Sequence, residues 1–153
     1  GVFPVGRLDY DSSGLLLLTN DGDWGQILLH PRHQVWKEYR VTTDQVLTPD
    51  QRKWLEQGVV LDHRRTAPAR VTVRDAGEGE PRRFQIAIRE GRNRQIRRMC
   101  AAVGVTVVSL RRIRIGPISL GKLPPGACRP LTSAEVNSIF QLGQSHPAAD
   151  SAP

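Results

Sequence analysis

The sequence predicts an α+β fold with a mixed, mainly antiparallel sheet flanked by helices, on three observations. Strand-like and helix-like segments follow one another without the regular alternation that builds a parallel sheet. Val35 to Thr43 alternates in side-chain character, as a half-buried strand does. Ala69–Asp75 and Arg83–Arg89 read as two strands around the turn-rich "AGEGEP", a hairpin-like connection. At 153 residues the chain is one domain's worth, long enough to bury a core without metal or disulfide support.

In chain order, the first residues read as strand. Gly14 to Asn20 is a short apolar run closed by Asn20-Asp21-Gly22, which predicts a buried strand and a turn. Asp21 or Asp23 then caps a short helix with Trp24, Ile27 and Leu28 on one face, ended by Pro31. In the strand Val35–Thr43, Val35, Lys37, Tyr39 and Val41 share a face. Pro49 opens a helix through Trp54 and Leu55, and Gly58 stops it.

Asn93 to Val103 is the clearest helix. Asn93 is its expected cap, and Ile96, Met99, Cys100 and Val103 make the apolar stripe before Gly104. A long strand runs from Val105 to Ile115, followed by a Gly/Pro-rich loop. Ser133 to Leu142 is a last helix, with Thr132 and Glu135 spaced as a capping box. The final "GQSHPAADSAP", residues 143–153, lacks apolar content and reads as a disordered tail.

The net charge of +7 narrows the partners. Lys37, Lys53 and Lys122 are the only lysines, so the basicity is almost all arginine, whose planar fork suits phosphate. A nucleic-acid partner leads on these grounds. Cys100 and Cys128 lie far apart and outside any CxxC pattern, and the four histidines lack metal-ligand spacing. This reading expects a reducing cytoplasm, no metal and no membrane segment.

Three stretches could carry chemistry. In "GRLDYDSSG", Asp9 sits beside Arg7, and an arginine keeps a carboxylate ionised and aimed. The plainer reading is a charged turn. In "KEYRV", Tyr39 faces inward and its hydroxyl needs a partner, as many core tyrosines do. In "REGRNRQIRRM", helical geometry turns Arg94 and Arg98 away from the apolar stripe, where they suit phosphate. Arg97 falls on the border of that stripe, where a half-buried guanidinium needs a carboxylate.

"GRLDYDSSGLLLLTNDG", "HPRHQVWKEYRV", "EGRNRQIRRM" and "LRRIRIGPISLGKLPPGACRPLT" occur in that order. Together they resemble the RsuA-type pseudouridine synthases of bacterial ribosomal RNA, from about Val5 to about Ile139. The resemblance implies a pseudouridine-synthase-like fold, with residues 1–142 as the catalytic domain. It makes Asp9 the catalytic aspartate, Tyr39 a wall of the uridine pocket, and Arg97 the partner of Asp9. It places Arg7, Arg92, Arg94 and Arg98 against phosphates, with Lys37, Asn93 and Gln95 also binding substrate. Family members carry an S4-like RNA-binding domain and an opening strand ahead of this region, and the expectation is that this part is missing here.

The implied reaction is the isomerisation of a uridine, in a loop or flipped from a helix, to pseudouridine. It uses no cofactor, and the protein is expected to act as a monomer. A non-catalytic RNA-binding or ribosome-assembly module would explain the charge but leave Asp9 without a task. Glycoside hydrolysis would need a second carboxylate, for which Asp11 is the local candidate.

Overall fold

The computed structural model describes residues 1–73 and 82–144. Strand β1 (Phe3–Val5) pairs antiparallel with β3 (Leu17–Thr19) in a small sheet of their own. Between them β2 (Ser13–Gly14) leaves for the main sheet, where it runs parallel to β9 (Val107–Ile115). The main sheet continues through β4 (Lys37–Thr43), β8 (Arg83–Ile88) and β7 (Arg70–Thr72), all antiparallel neighbours. A short β10 (Ile118–Ser119) folds back on the end of β9. The α+β class with a mainly antiparallel sheet is therefore what the chain adopts.

The leucine run does not form the single buried strand its composition predicts. It is cut at Leu15-Leu16 between two sheets, and only Leu15 and Leu17 are buried, while Leu16 and Leu18 face out. Gly14 explains the cut. Its φ is +113°, and a Cβ there would stand 2.1 Å from the Arg112 carbonyl oxygen, so only glycine lets the chain lie against β9.

Helix α1 (Gly22–Leu29) is capped by Asp21, whose carboxylate accepts from the amides of Asp23 and Trp24. Helix α2 (Pro49–Gln57) carries a full capping box between Thr48 and Gln51. Helix α3 (Gln95–Ala102) begins later than its periodicity implies, and Asn93 does not cap it. The Gln95 side chain instead accepts from the Arg92 amide, closing a tight turn that leaves Arg94 at the N-cap with φ +50°. Helix α4 (Ser133–Gln144) is opened by the Thr132–Glu135 capping box and runs through Gly143 and Gln144, two residues of the expected tail. The remaining tail residues and the "AGEGEP" connection, with Arg74 and Asp75, lie outside the described residues.

A hairpin absent from the sequence reading joins β5 (Val60–Leu61) to β6 (Arg64–Arg65). Its turn holds Asp62 and His63 at φ +53° and +65°. Two cores support these elements. Val41, Phe84 and Ile86 of the main sheet pack on Leu55 of α2 and Met99 and Cys100 of α3. Val5, Leu15, Leu17, Trp24, Ile118 and Ile139 form the other, and Trp24 Nε1 donates to the Val136 carbonyl at 3.1 Å to lock α1 on α4.

Candidate active site

Where the two cores meet, a cleft of about 1100 Å³ opens on one face of the main sheet. That exceeds the common range for a small-molecule pocket and leaves room for a nucleotide with flanking backbone. Its floor is the inward row of strands β4 and β9: Lys37, Tyr39, Leu110, Arg112 and Ile115. One wall is the turn after β1, which carries Arg7, Leu8, Asp9 and Ser12, and the opposite wall is the turn into α3, from Glu90 to Ile96.

Backbone contacts fix the Asp9 turn. The Ser12 amide donates to the Asp9 carbonyl at 3.0 Å, and β2 then ties the chain to β9. The Leu15 amide donates to the Arg112 carbonyl at 2.8 Å, while the Arg112 side chain returns a bond from Nε to the Leu15 carbonyl at 2.9 Å. Arg112 is buried and its Nη2 has no protein partner, so a guanidinium nitrogen remains unsatisfied in the cleft floor.

Asp9 and Asp11 share one cation. Arg94 grips Asp11 with both nitrogens, Nη1 to Oδ1 at 3.0 Å and Nη2 to Oδ2 at 2.8 Å, and its Nη1 lies 3.9 Å from Asp9 Oδ2. The Arg94 guanidinium holds the Asp11 carboxyl below its usual range, and Asp11 raises Arg94 in return. Arg94 holds a left-handed backbone conformation, which costs a non-glycine residue about 1–3 kcal/mol and is typical of functional sites.

Arg97 is half-buried as helical geometry predicts, but its partner is Asp11 rather than Asp9. Its Nη2 donates to the Asp11 carbonyl at 2.6 Å and its Nε stands 3.5 Å from Asp11 Oδ2. The place beside Asp9 is taken by Arg94, which the N-cap turn with its left-handed backbone holds at the cleft.

Lys37 is half-buried in the same floor. Burial lowers its pKa, Arg112 lowers it further, and Glu90 opposes both. Tyr39 is half-buried in the cleft floor, and among the described residues its hydroxyl has no hydrogen-bond partner. An unpaired phenol facing open space is available to a ligand.

Two expected phosphate contacts have other work. Arg92 donates to the carbonyls of Leu61, Arg64 and Arg65 at 3.1, 2.9 and 2.8 Å, so it pins the β5–β6 hairpin. Arg98 pairs with Asp62 at the hairpin turn, 2.6 Å from Nη2 to Oδ2. Arg7, Asp9, Lys37, Tyr39, Arg92, Asn93, Arg94 and Gln95 do line the cleft, while Arg97 and Arg98 lie outside its lining. The sequence reading missed Asp11 as an anchor, Arg112 in the floor and Glu90, which accepts from the Ala67 amide and from Gln95 Nε2, each at 2.8 Å. Arg112 had a legible signal, since it stands on the inward side of an alternating strand.

Residues 1–102 match the family described as RNA pseudouridylate synthase. The chain is 39% identical over 142 residues to the ribosomal large subunit pseudouridine synthase B of Bacillus subtilis, covering 92% of this chain and 58% of that protein. It is 43% identical over 138 residues to the ribosomal small subunit pseudouridine synthase A of Yersinia pestis, covering 88% of this chain and 57% of that protein. A solved pseudouridylate synthase superposes with a TM-score of 0.84 at 34% identity, over 90% of this chain and 59% of that one. The chain thus spans somewhat more than half the length of the relatives it matches, and its Asp9 cleft is formed within the matched residues. The chain belongs to the RNA pseudouridylate synthase family.

Proposed function

We propose that this chain is the catalytic domain of a ribosomal RNA pseudouridine synthase, isomerising a uridine that has left its stack. One observation carries the reading: Asp9 sits in a cleft of nucleotide size, 3.9 Å from an arginine that is itself held by a second carboxylate. A surface built only to bind phosphate gains nothing from a carboxylate there.

In this reading Asp9 acts on the sugar, either by attacking C1′ or by removing the proton from C2′. On either route the N1–C1′ bond breaks and the uracil leaves with the bond's electron pair. The base turns and its C5 bonds to C1′, which displaces the Asp9 carboxylate from C1′ on the first route and returns the Asp9-held proton to C2′ on the second. N1 takes up a proton, and the C5 proton is then lost. Tyr39 packs against the base and is placed to assist that last transfer. Arg94, whose Nη1 stands 3.9 Å from the Asp9 carboxylate, is a positioning residue for it. Arg97 acts one step removed, by holding Asp11. The unsatisfied Arg112 nitrogen and the Lys37 ammonium supply cations from the floor for a base carbonyl or a phosphate.

The measurement is tritium release, catalysed by this chain, from ribosomal RNA labelled at uridine C5. Release that rises with time and enzyme supports the synthase reading. RNA binding without release would leave a non-catalytic RNA-binding module.

A further inference from the structure

We propose that the open face of the main sheet, opposite the cleft, is a second RNA surface that holds the phosphate backbone of a duplex flanking the target. The proposal rests on the reading of the chain as an RNA-modifying domain. The alternation that sends Lys37, Tyr39 and Val41 inward sends Glu38, Arg40 and Thr42 outward. Helices α2 and α3 pack on the inward side, and the outward residues are exposed or half-exposed.

The charge on this face is unbalanced. Arg40 of β4 and Arg111 of β9 stand directly opposite each other, and neither has a carboxylate partner among the described residues. Like charges in that position are destabilising, and an anion above them removes the penalty. One row away, Arg114, Glu38 and Arg70 lie along a line across four strands, about 14 Å at ordinary strand spacing. Glu38 is the acidic member of that row and stands 3.9 Å from Arg114.

The chemistry selects backbone over bases. A single strand needs exposed aromatic rings for stacking. The aromatic ring at this edge, Trp36, is already covered by the Arg70 guanidinium at 4.1 Å. A flat arginine surface without a free ring positions phosphates and reads no sequence.

The test compares two RNAs with the same target loop, one on a stem of a few base pairs and one on a long stem. Binding is titrated against salt for wild type, for Arg40→Gln with Arg111→Gln, and for Arg40→Glu alone. The last places an acid opposite Arg111, a pairing that favours the fold, so a folding defect in the double variant does not block the test. Both variants should weaken long-stem binding at least tenfold at 0.1 M salt, and the double should flatten the log–log slope by about 1.5 units. Short-stem affinity and single-turnover rate should stay at wild-type levels. Unchanged long-stem binding would overturn the proposal and leave the face to an acidic protein or to solvent. Equal loss on both RNAs would also overturn it, since the effect would then run through the cleft. If no RNA is turned over by wild type while the long-stem effect persists, the surface stands and the activity reading falls.

Discussion

Arg94 reaches both carboxylates of one turn, and its grip on Asp11, at 2.8 and 3.0 Å, is tighter than its approach to Asp9, at 3.9 Å. Asp11 also takes a bond from Arg97 on its carbonyl at 2.6 Å. The turn that carries Asp9 is therefore fastened to α3 mainly through its neighbour, and the Asp9 ion pair with Arg94 is the looser of the two.

Replacing Asp11 by Asn should lower single-turnover rate by up to about 100-fold with little change in RNA affinity, because it lets the turn and Arg94 drift. Arg94→Ala should cost turnover as well, and Arg94→Lys should fall between, since lysine keeps the charge without the fork. The pH behaviour has a defined sign. Asp11's folded pKa is lowered, so its stabilising pair is complete above the ordinary carboxylate range and is lost as pH falls through the lowered value. Acid melts of wild type and Asp11→Asn should converge in that window. A constant gap between them would argue against the pair.

Arg92→Ala should destabilise the protein by about 2–3 kcal/mol, since three carbonyls of the β5–β6 region lose a charged donor. Denaturant melts measure this, and the salt slope for RNA should stay near that of wild type. A variant of normal stability with a flattened slope would make Arg92 a phosphate ligand after all.

Lys37→Met should raise the melting temperature by a few degrees near neutral pH while damaging RNA binding or turnover. The lysine is half-buried, and desolvation holds its folded pKa below the ordinary value. Stability in wild type should therefore rise with pH between the lowered and the ordinary lysine values, as the folded state sheds its proton first. A wild-type stability curve flat over that range, with no gain from methionine, would contradict the assignment.

The two thiols should differ. Cys128 is exposed and Cys100 is buried on the inner face of α3, with its pKa pushed up to about 12 by burial. One thiol should react with an aromatic disulfide reagent in the native protein, and the second only at the rate of α3 opening. Prompt reaction of both would mean that α3 is not packed as described.

Much of this was legible where the signal is local. The Asp21 cap and the Thr132–Glu135 box are decided within three residues, and both form. The Asn93 cap failed because Gln95 reaches the Arg92 amide first, a competition that periodicity does not register. The β5–β6 hairpin was hidden because its left-handed turn uses Asp62 and His63 in place of glycine. In the site, the resemblance pointed to Asp9, Tyr39 and the arginines of α3, and most of these residues line one cleft. Which arginine meets which carboxylate was not legible. The Arg94–Asp11 contact spans 83 residues of sequence, a separation that no local pattern reports.

The central claim is that Asp9 reacts and Asp11 only positions. Single-turnover tritium release by Asp9→Asn, Asp9→Ala and Asp11→Asn, each at saturating RNA and with deamidation excluded by mass, tests it most directly. Neither Asp9 variant should release tritium, Asp11→Asn should release it slowly but measurably, and RNA affinity should stay within a few-fold of wild type for all three. Substantial release by Asp9→Ala, or complete loss in Asp11→Asn alone, would contradict it.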